Sequence, residues 1–230
     1  MLAGIAVAAR GLRPEVELVG VQPAGSSTLL RSMEAGRVVE GPAPSTFADG
    51  LATRHVGSLT LEILRKFQTR PVVVDDRSIA RAIFLLLERA HTLAEGAGAA
   101  PLAALLEHPE LAEDGPVVLV ISGGNLDPFL LDRILFIGLS SEGRILSLRA
   151  VLRDRPGGLV DFLGVAAKAE ANVRHIQHDR EASGRLPGEV RVEVELEVRD
   201  SAHADEVVRA FQKGGFDVER LEVEARESVS

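Results

Sequence analysis

The sequence contains no cysteine. That removes disulfides, thiolate metal sites and a thiol nucleophile from its chemistry, and it fits a reducing cytoplasm. It also has no basic block. Charges of both signs are interspersed and sum to −8 over 230 residues, which argues against nucleic acid or an anionic membrane as the main partner. Long apolar runs are missing too. "AIFLLL" at 82–87 is among the longest, far short of the roughly 20 residues that span a bilayer. The opening "MLAGIAVAARGLR" lacks the basic start and cleavage site of a signal peptide and reads as an alanine-rich helix. Lysine is scarce, with Lys66, Lys168 and Lys213 the whole supply.

What is present suffices for a core: 46% of residues are hydrophobic, enough for one large domain or two ordinary ones. After the first helix, strand and helix patterns alternate. A strand is expected at 16–22, helices near 26–35 and 58–69, and a strand in "PVVVDD". From Ser78 to Ala94 the apolar residues Ile79, Ala82, Ile83, Leu86, Leu87 and Ala90 recur at three-and-four spacing, predicting an amphipathic helix on a sheet. "PLAALLEH" predicts another helix. Five apolar residues, Val117 to Ile121, then fit a strand covered on both faces, followed by a Gly123-Gly124 turn and a helix with Asp127 as N-cap and Pro128 in its first turn. This is a parallel-sheet α/β pattern over residues 1–140.

From 141 to 230 the pattern changes. "ILSLRAVL" reads as a half-buried strand, "RDRPGGLVDFLGVAAKAEA" as a turn and helix, and "NVRHIQHDR" as a strand. A long polar turn leads to "EVRVEVELEV" at 189–198, where charged and apolar residues alternate strictly, so that one sheet face is wet and the other packed. The helix "AHADEVVRAFQKGG" and the strand "FDVERLEVEA" complete βαββαβ, a ferredoxin-like unit.

The glycine turn after residue 121 offers backbone N–H groups and the Ser122 hydroxyl at the carboxyl end of a strand, where open α/β sheets keep their ligands. Taken alone it also reads as a turn that makes room for packing. Asp49-Gly50 likewise reads as a plain turn, and Glu95 as a solvated helix end followed by Gly96. His175 and His178 sit at a strand spacing that puts them on opposite faces, against a shared metal.

The ordered set "VELVGVQP", "TFADGLA", "AEGAGAAPLAAL" and "VVLVISGGNLDP", followed by "RAVLRDRPGGL" and "EANV", resembles the C-terminal half of the threonine ammonia-lyases with their appended ACT domain. The resemblance covers nearly the whole chain. It implies part of a tryptophan-synthase-β-like, pyridoxal-phosphate enzyme domain, followed by a regulatory ACT domain. It further implies removal of ammonia from L-threonine or L-serine to give a 2-oxo acid. In cofactor binding it places Ser122 at the pyridine nitrogen, with its neighbour Gly123 in the same turn; Gly50 lines the ring, and Glu95 approaches the same pocket.

The family's catalytic lysine lies in an S-x-K-x-R-G motif, and no lysine here has that surrounding. The family's phosphate-cradling glycine loop stands before the residues matching "LAGIAVAA". The expectation is therefore that no catalytic residue lies in this chain, that it is inactive alone, and that it starts inside a longer gene or is one part of a split enzyme. An isolated half-sheet is expected to expose an apolar patch. Some relatives bind a divalent cation through acidic residues just after "LVGVQP", where Gln22 and "PAGSS" stand here, so no metal site is expected.

In ACT domains the first strand-helix loop forms an amino-acid effector site with the start of the second strand, usually between two such domains. That implies Asp154, Gly157, Gly158, Leu159 and Asn172 here, with helix N–H groups for a carboxylate and the Asn172 amide for either end of a zwitterion. Singly, Asp154 reads equally as a helix cap. Glu170 stands where relatives have glycine, and a side chain at a left-handed C-cap costs on the order of 1 kcal/mol. The alternative to an enzyme half is a non-catalytic amino-acid-binding module. Expected partners are an amino-acid substrate or effector, a second copy of the chain, and the other half of the enzyme.

Overall fold

A computed structural model describes residues 1–113, 115–181 and 186–221. The chain divides into two compact units, residues 1–134 and 135–230.

In the first unit, β1 (Val19–Pro23) and β2 (Arg70–Val74) pair in parallel, from Val19 opposite Arg70 to Pro23 opposite Val74. Helices α1 (Leu2–Leu12), α2 (Thr28–Ala35) and α3 (Ser58–Lys66) enclose Ala6, Leu18, Leu29, Leu61 and Leu64 in one core cluster. The apolar stripe of α4 (Asp76–Ala90) is buried at Ile79, Ala82, Ile83 and Leu86. Asp75 caps this helix by accepting from the Ser78 N–H at 2.6 Å. Its periodicity predicts a helix to Ala94, but His91 ends it in the left-handed region at φ 52°.

Helix α5 (Gly96–Glu107) starts five residues before "PLAALLEH" and carries Pro101 inside it. It buries Gly96, Gly98, Ala99, Ala100, Ala103 and Ala104, a face that lets other backbone approach closely. Helix α6 (Pro128–Ser141) begins as the sequence predicts, with Asp127 Oδ1 accepting from the N–H groups of Phe129 (2.9 Å) and Leu130 (3.0 Å).

The buried strand expected at Val117–Ile121 is corrected by the structure. These residues form no strand, and Val118 is 87% exposed. A strand needs a neighbour with which to exchange ladder hydrogen bonds. Among the described residues the sheet of this unit is β1 and β2 alone, and 117–121 pairs with neither.

The second unit holds an antiparallel sheet of β3 (Ile145–Arg153), β4 (Asn172–Asp179), β5 (Glu189–Glu197) and β6 (Val218–Leu221), in the spatial order β4-β5-β3-β6. With α7 (Gly158–Lys168) after β3 and α8 (Ser201–Lys213) after β5, this is the ferredoxin-like βαββαβ arrangement. Val190, Val192, Val194 and Leu196 of β5 point inward, alternating with glutamates and Arg191. The core closes on Phe162 and Phe211, with ring centroids 4.6 Å apart, and Phe216 edge-on to both. The last four residues of the final expected strand, 222–225, and part of the polar turn, 182–185, lie outside the described residues. Among the described residues no helix is long and apolar enough to cross a membrane.

Candidate functional site

Three glycine-rich segments of the first unit meet. Glu95 is the N-cap of α5, not the end of a helix as its sequence surroundings suggest, because α4 has already stopped at Ala90. Its backbone N–H donates to the Gly123 carbonyl at 3.1 Å, and its Oε2 accepts from the Asn125 N–H at 3.2 Å. Gly123 adopts φ +68°, and a methyl group on it would stand 2.3 Å from Glu95 Oε1. A methyl on Gly98 would stand 1.4 Å from the Ser122 carbonyl oxygen. One on Gly50 would lie 2.8 Å from Ala97 Cβ and 3.7 Å from Glu95 Oε1. Gly50, Glu95, Ser122 and Gly123, scattered over 74 positions of sequence, therefore form one wall.

A second set of groups fixes the "TFADGLA" segment. Asp76, in the first turn of α4, accepts from Thr46 Oγ1 (2.6 Å) and from the Phe47 N–H (3.2 Å), and Thr46 Oγ1 accepts from the Ala48 N–H (3.1 Å). Ser26 Oγ donates to the Leu51 carbonyl (2.9 Å) and accepts from the Thr53 N–H (3.0 Å). Sequence reasoning missed Ser26, Asp76 and Gly98. For Gly98 the run of small residues at 96–100 carried the signal; for the other two nothing local did.

Ser122 is half-buried, and its hydroxyl has no hydrogen-bond partner among the described residues. An unengaged hydroxyl beside close backbone and a carboxylate suits the nitrogen edge of a flat heteroaromatic ring. The amines lie elsewhere. Lys66 ends α3, with Nζ 5.7 Å from the Phe67 ring centroid, and Lys168 and Lys213 end α7 and α8 of the other unit. The wall thus offers one hydroxyl donor, the chemistry a ring nitrogen would need, and contains no amine that could bond a cofactor covalently.

Gln22, at the place where some relatives are expected to carry metal ligands, has a different task. Its buried Oε1 accepts from the N–H groups of Leu29 (2.8 Å) and Leu30 (3.2 Å), capping α2 where the Ser27 side chain does not. Among the described residues no cluster of three or more His, Asp or Glu could hold a metal.

In the second unit, Asp154, Gly157 and Leu159 line a cavity of about 260 Å³ between the end of β3 and the start of α7. Its walls include Leu152, Val160 and Val190, with His178 and Arg180 from the end of β4 and beyond. Gly158 adjoins it, its N–H donating to the Arg155 carbonyl at 3.0 Å. Arg180 binds Asp154 with two hydrogen bonds, Nε to Oδ2 at 3.0 Å and Nη2 to Oδ1 at 3.2 Å. Asn172 does not join this cavity. It pairs with Glu197 at the opposite end of the sheet, and its Nδ2 donates to Glu197 Oε2 at 3.2 Å.

Residues 1–123 match the family model described as "Pyridoxal-phosphate dependent enzyme". The chain is 37% identical over 218 residues to the L-threonine ammonia-lyase of Thermotoga maritima, covering 95% of this chain and 54% of that protein. It is 39% identical over 221 residues to the L-threonine ammonia-lyase of Geobacter sulfurreducens, covering 96% and 55%. It therefore spans about half the length of the curated relatives it matches. Among solved structures, a threonine deaminase of T.th. aligns with 38% identity and TM-score 0.52 over 55% of this chain and 46% of that one. Maize serine racemase aligns with 30% identity and TM-score 0.53 over 58% and 43%. The matched span contains the wall built from Gly50, Glu95, Ser122 and Gly123, and the chain belongs to the family of pyridoxal-phosphate dependent enzymes.

Proposed function

We propose that this chain supplies the ring-side wall of the cofactor pocket in a threonine ammonia-lyase that converts L-threonine or L-serine to a 2-oxo acid, and that it is inactive alone. The observation that carries the reading is the convergence of Gly50, Glu95, Ser122 and Gly123, at separations that a side chain on the glycines would abolish. Bound in such a pocket, pyridoxal phosphate supplies an electron sink that eases loss of the α-proton and of the β-hydroxyl. Ser122 would hydrogen-bond the ring nitrogen. A hydroxyl there leaves that nitrogen unprotonated, which suits elimination better than chemistry needing a full sink. Gly50, packed against Ala97 of α5, would line the ring, and Glu95 holds the Ser122 turn through the Gly123 carbonyl and the Asn125 N–H. The amine that bonds the cofactor and moves the α-proton comes from a second polypeptide segment bearing the S-x-K-x-R-G motif.

The second unit acts as an ACT regulatory domain, with the cavity at 152–160 as its effector pocket and its sheet available for dimerisation. The same cavity favours the second reading, a binding module without catalysis.

The test is to produce the chain alone and together with the N-terminal part of the Thermotoga relative, add pyridoxal phosphate, and follow visible absorbance and 2-oxo acid formation from L-threonine. The chain alone should stay colourless and inactive, and the pair should bind cofactor and deaminate. Ser122→Ala in the pair should weaken cofactor binding. Deamination by the chain alone would overturn the dependence on a second segment. A pair that assembles and binds no cofactor would overturn the enzymatic reading and leave the binding module.

A further inference from the structure

Asp154 is the one acidic residue among those lining the cavity of the second unit. Both of its oxygens accept from Arg180, and Arg155 donates to Asp161 Oδ2 at 2.6 Å and to the Pro156 carbonyl at 3.3 Å. An ammonium group brought to Asp154 would stand beside the Arg180 guanidinium, like charge against like. Three arginines, Arg153, Arg155 and Arg180, thus line the cavity against one carboxylate, and Arg180, bound to that carboxylate, keeps three of its five N–H donors for an incoming anion. The walls away from this charged rim are aliphatic: Leu152 and Val190 are buried, and Leu159 and Val160 come from the first turn of α7. About 260 Å³ is below the roughly 300–1,000 Å³ of drug-sized sites, so the apolar part of the ligand is short.

We propose that this cavity takes a short aliphatic carboxylate without an ammonium group, such as a 2-oxo acid, and that Arg180 is the residue that recognises it. The inference rests on reading the cavity as the effector pocket and names the chemistry of the effector. It departs from the zwitterion expected from sequence, whose second anchor, Asn172, lies at the far end of the sheet. It also connects the pocket to the reaction class: deamination of a hydroxy-amino acid yields a ligand of this kind.

The experiment is calorimetric titration of the full chain with sodium 3-methylbutanoate and with L-valine, which differ by the ammonium group. The carboxylate should bind at least as tightly as the amino acid. Arg180→Gln should weaken it by about tenfold or more, as loss of a charge-assisted pair does. An Arg180→Gln chain whose circular-dichroism spectrum and cooperative unfolding match the parent's shows that the loss is not general misfolding. L-Valine binding more tightly than 3-methylbutanoate would leave the effector pocket standing and overturn the carboxylate assignment. An Arg180→Gln chain that binds 3-methylbutanoate like the parent would overturn the role of Arg180. Binding of neither compound would overturn the proposal together with the effector-pocket reading.

Discussion

Glycines at two places in the first unit respond oppositely to the same added methyl. Gly4 lies exposed within α1 with nothing within 4 Å of a new Cβ, so Gly4→Ala should stabilise by about 0.5–1 kcal/mol through reduced unfolded-chain entropy and better helix propensity. Gly98 lies against the Ser122 carbonyl, and no side-chain adjustment relieves a clash with backbone at 1.4 Å. Gly98→Ala should destabilise by about 1–3 kcal/mol and displace the turn that carries the Ser122 hydroxyl. Urea unfolding midpoints check both, provided the slopes match the parent's. A charged residue makes a different prediction. Arg149 in β3 donates from Nε to Glu193 Oε1 at 2.8 Å, and this hydrogen bond, outweighing the opposing burial and helped by attraction to Glu193 and Glu219, raises the guanidinium above its ordinary pKa. A raised cation contributes stability that is complete below its unfolded value and is lost only as pH rises through the folded one. Arg149→Met should therefore cost the same at every pH from neutral to well into the alkaline range. With side chains 34% and 29% exposed, that cost should be within about 1 kcal/mol, measured by unfolding at several pH values.

At the scale of elements, the left-handed stop of α7 is the clearest agreement between sequence and structure. Glu170 adopts φ 59°, and its carboxylate reaches only an exposed partner, Arg199 Nη1 at 3.0 Å. Glu170→Gly should raise stability by on the order of 1 kcal/mol, since the strain relieved exceeds the value of the surface pair; a thermal shift measures it. The cap was legible because the residues around it are local in sequence. So were the Asp127 cap of α6 and the alternation in β5, where Val190 to Leu196 face in and their neighbours out. Elements defined by distant partners were harder to read. Val117–Ile121 has the composition of a buried strand, yet nothing local states whether another strand lies beside it. Glu95 looked like a helix end because α4 could have run on at the same periodicity; the His91 stop has no glycine or proline to announce it. The family resemblance singled out Gly50, Glu95, Ser122 and Gly123, which the fold brings together. The supports of that wall, Asp76 and Ser26, were not legible, because each reaches across 25 or more positions to the segment it holds.

For the whole molecule, the physical tension is between an ample apolar composition and a sheet that gives part of it no cover. Exposed apolar residues scattered singly are ordinary, but Val117, Val118 and Val120 stand together on backbone without ladder hydrogen bonds. Such a segment is a template for another strand. If the chain works as one part of a larger enzyme, amide hydrogens at 117–121 should exchange fast in the chain alone, while those of β5, within its own sheet, exchange slowly. On assembly with the N-terminal part of a threonine ammonia-lyase, the amides of 117–121 should become protected to a degree comparable with β2. Val118→Lys should block that assembly and leave the exchange of β5 unchanged, because the two lie in different units. Protection of 117–121 in the dilute chain alone, unaffected by Val118→Lys, would mean that the segment is already satisfied and that this face recruits no partner strand.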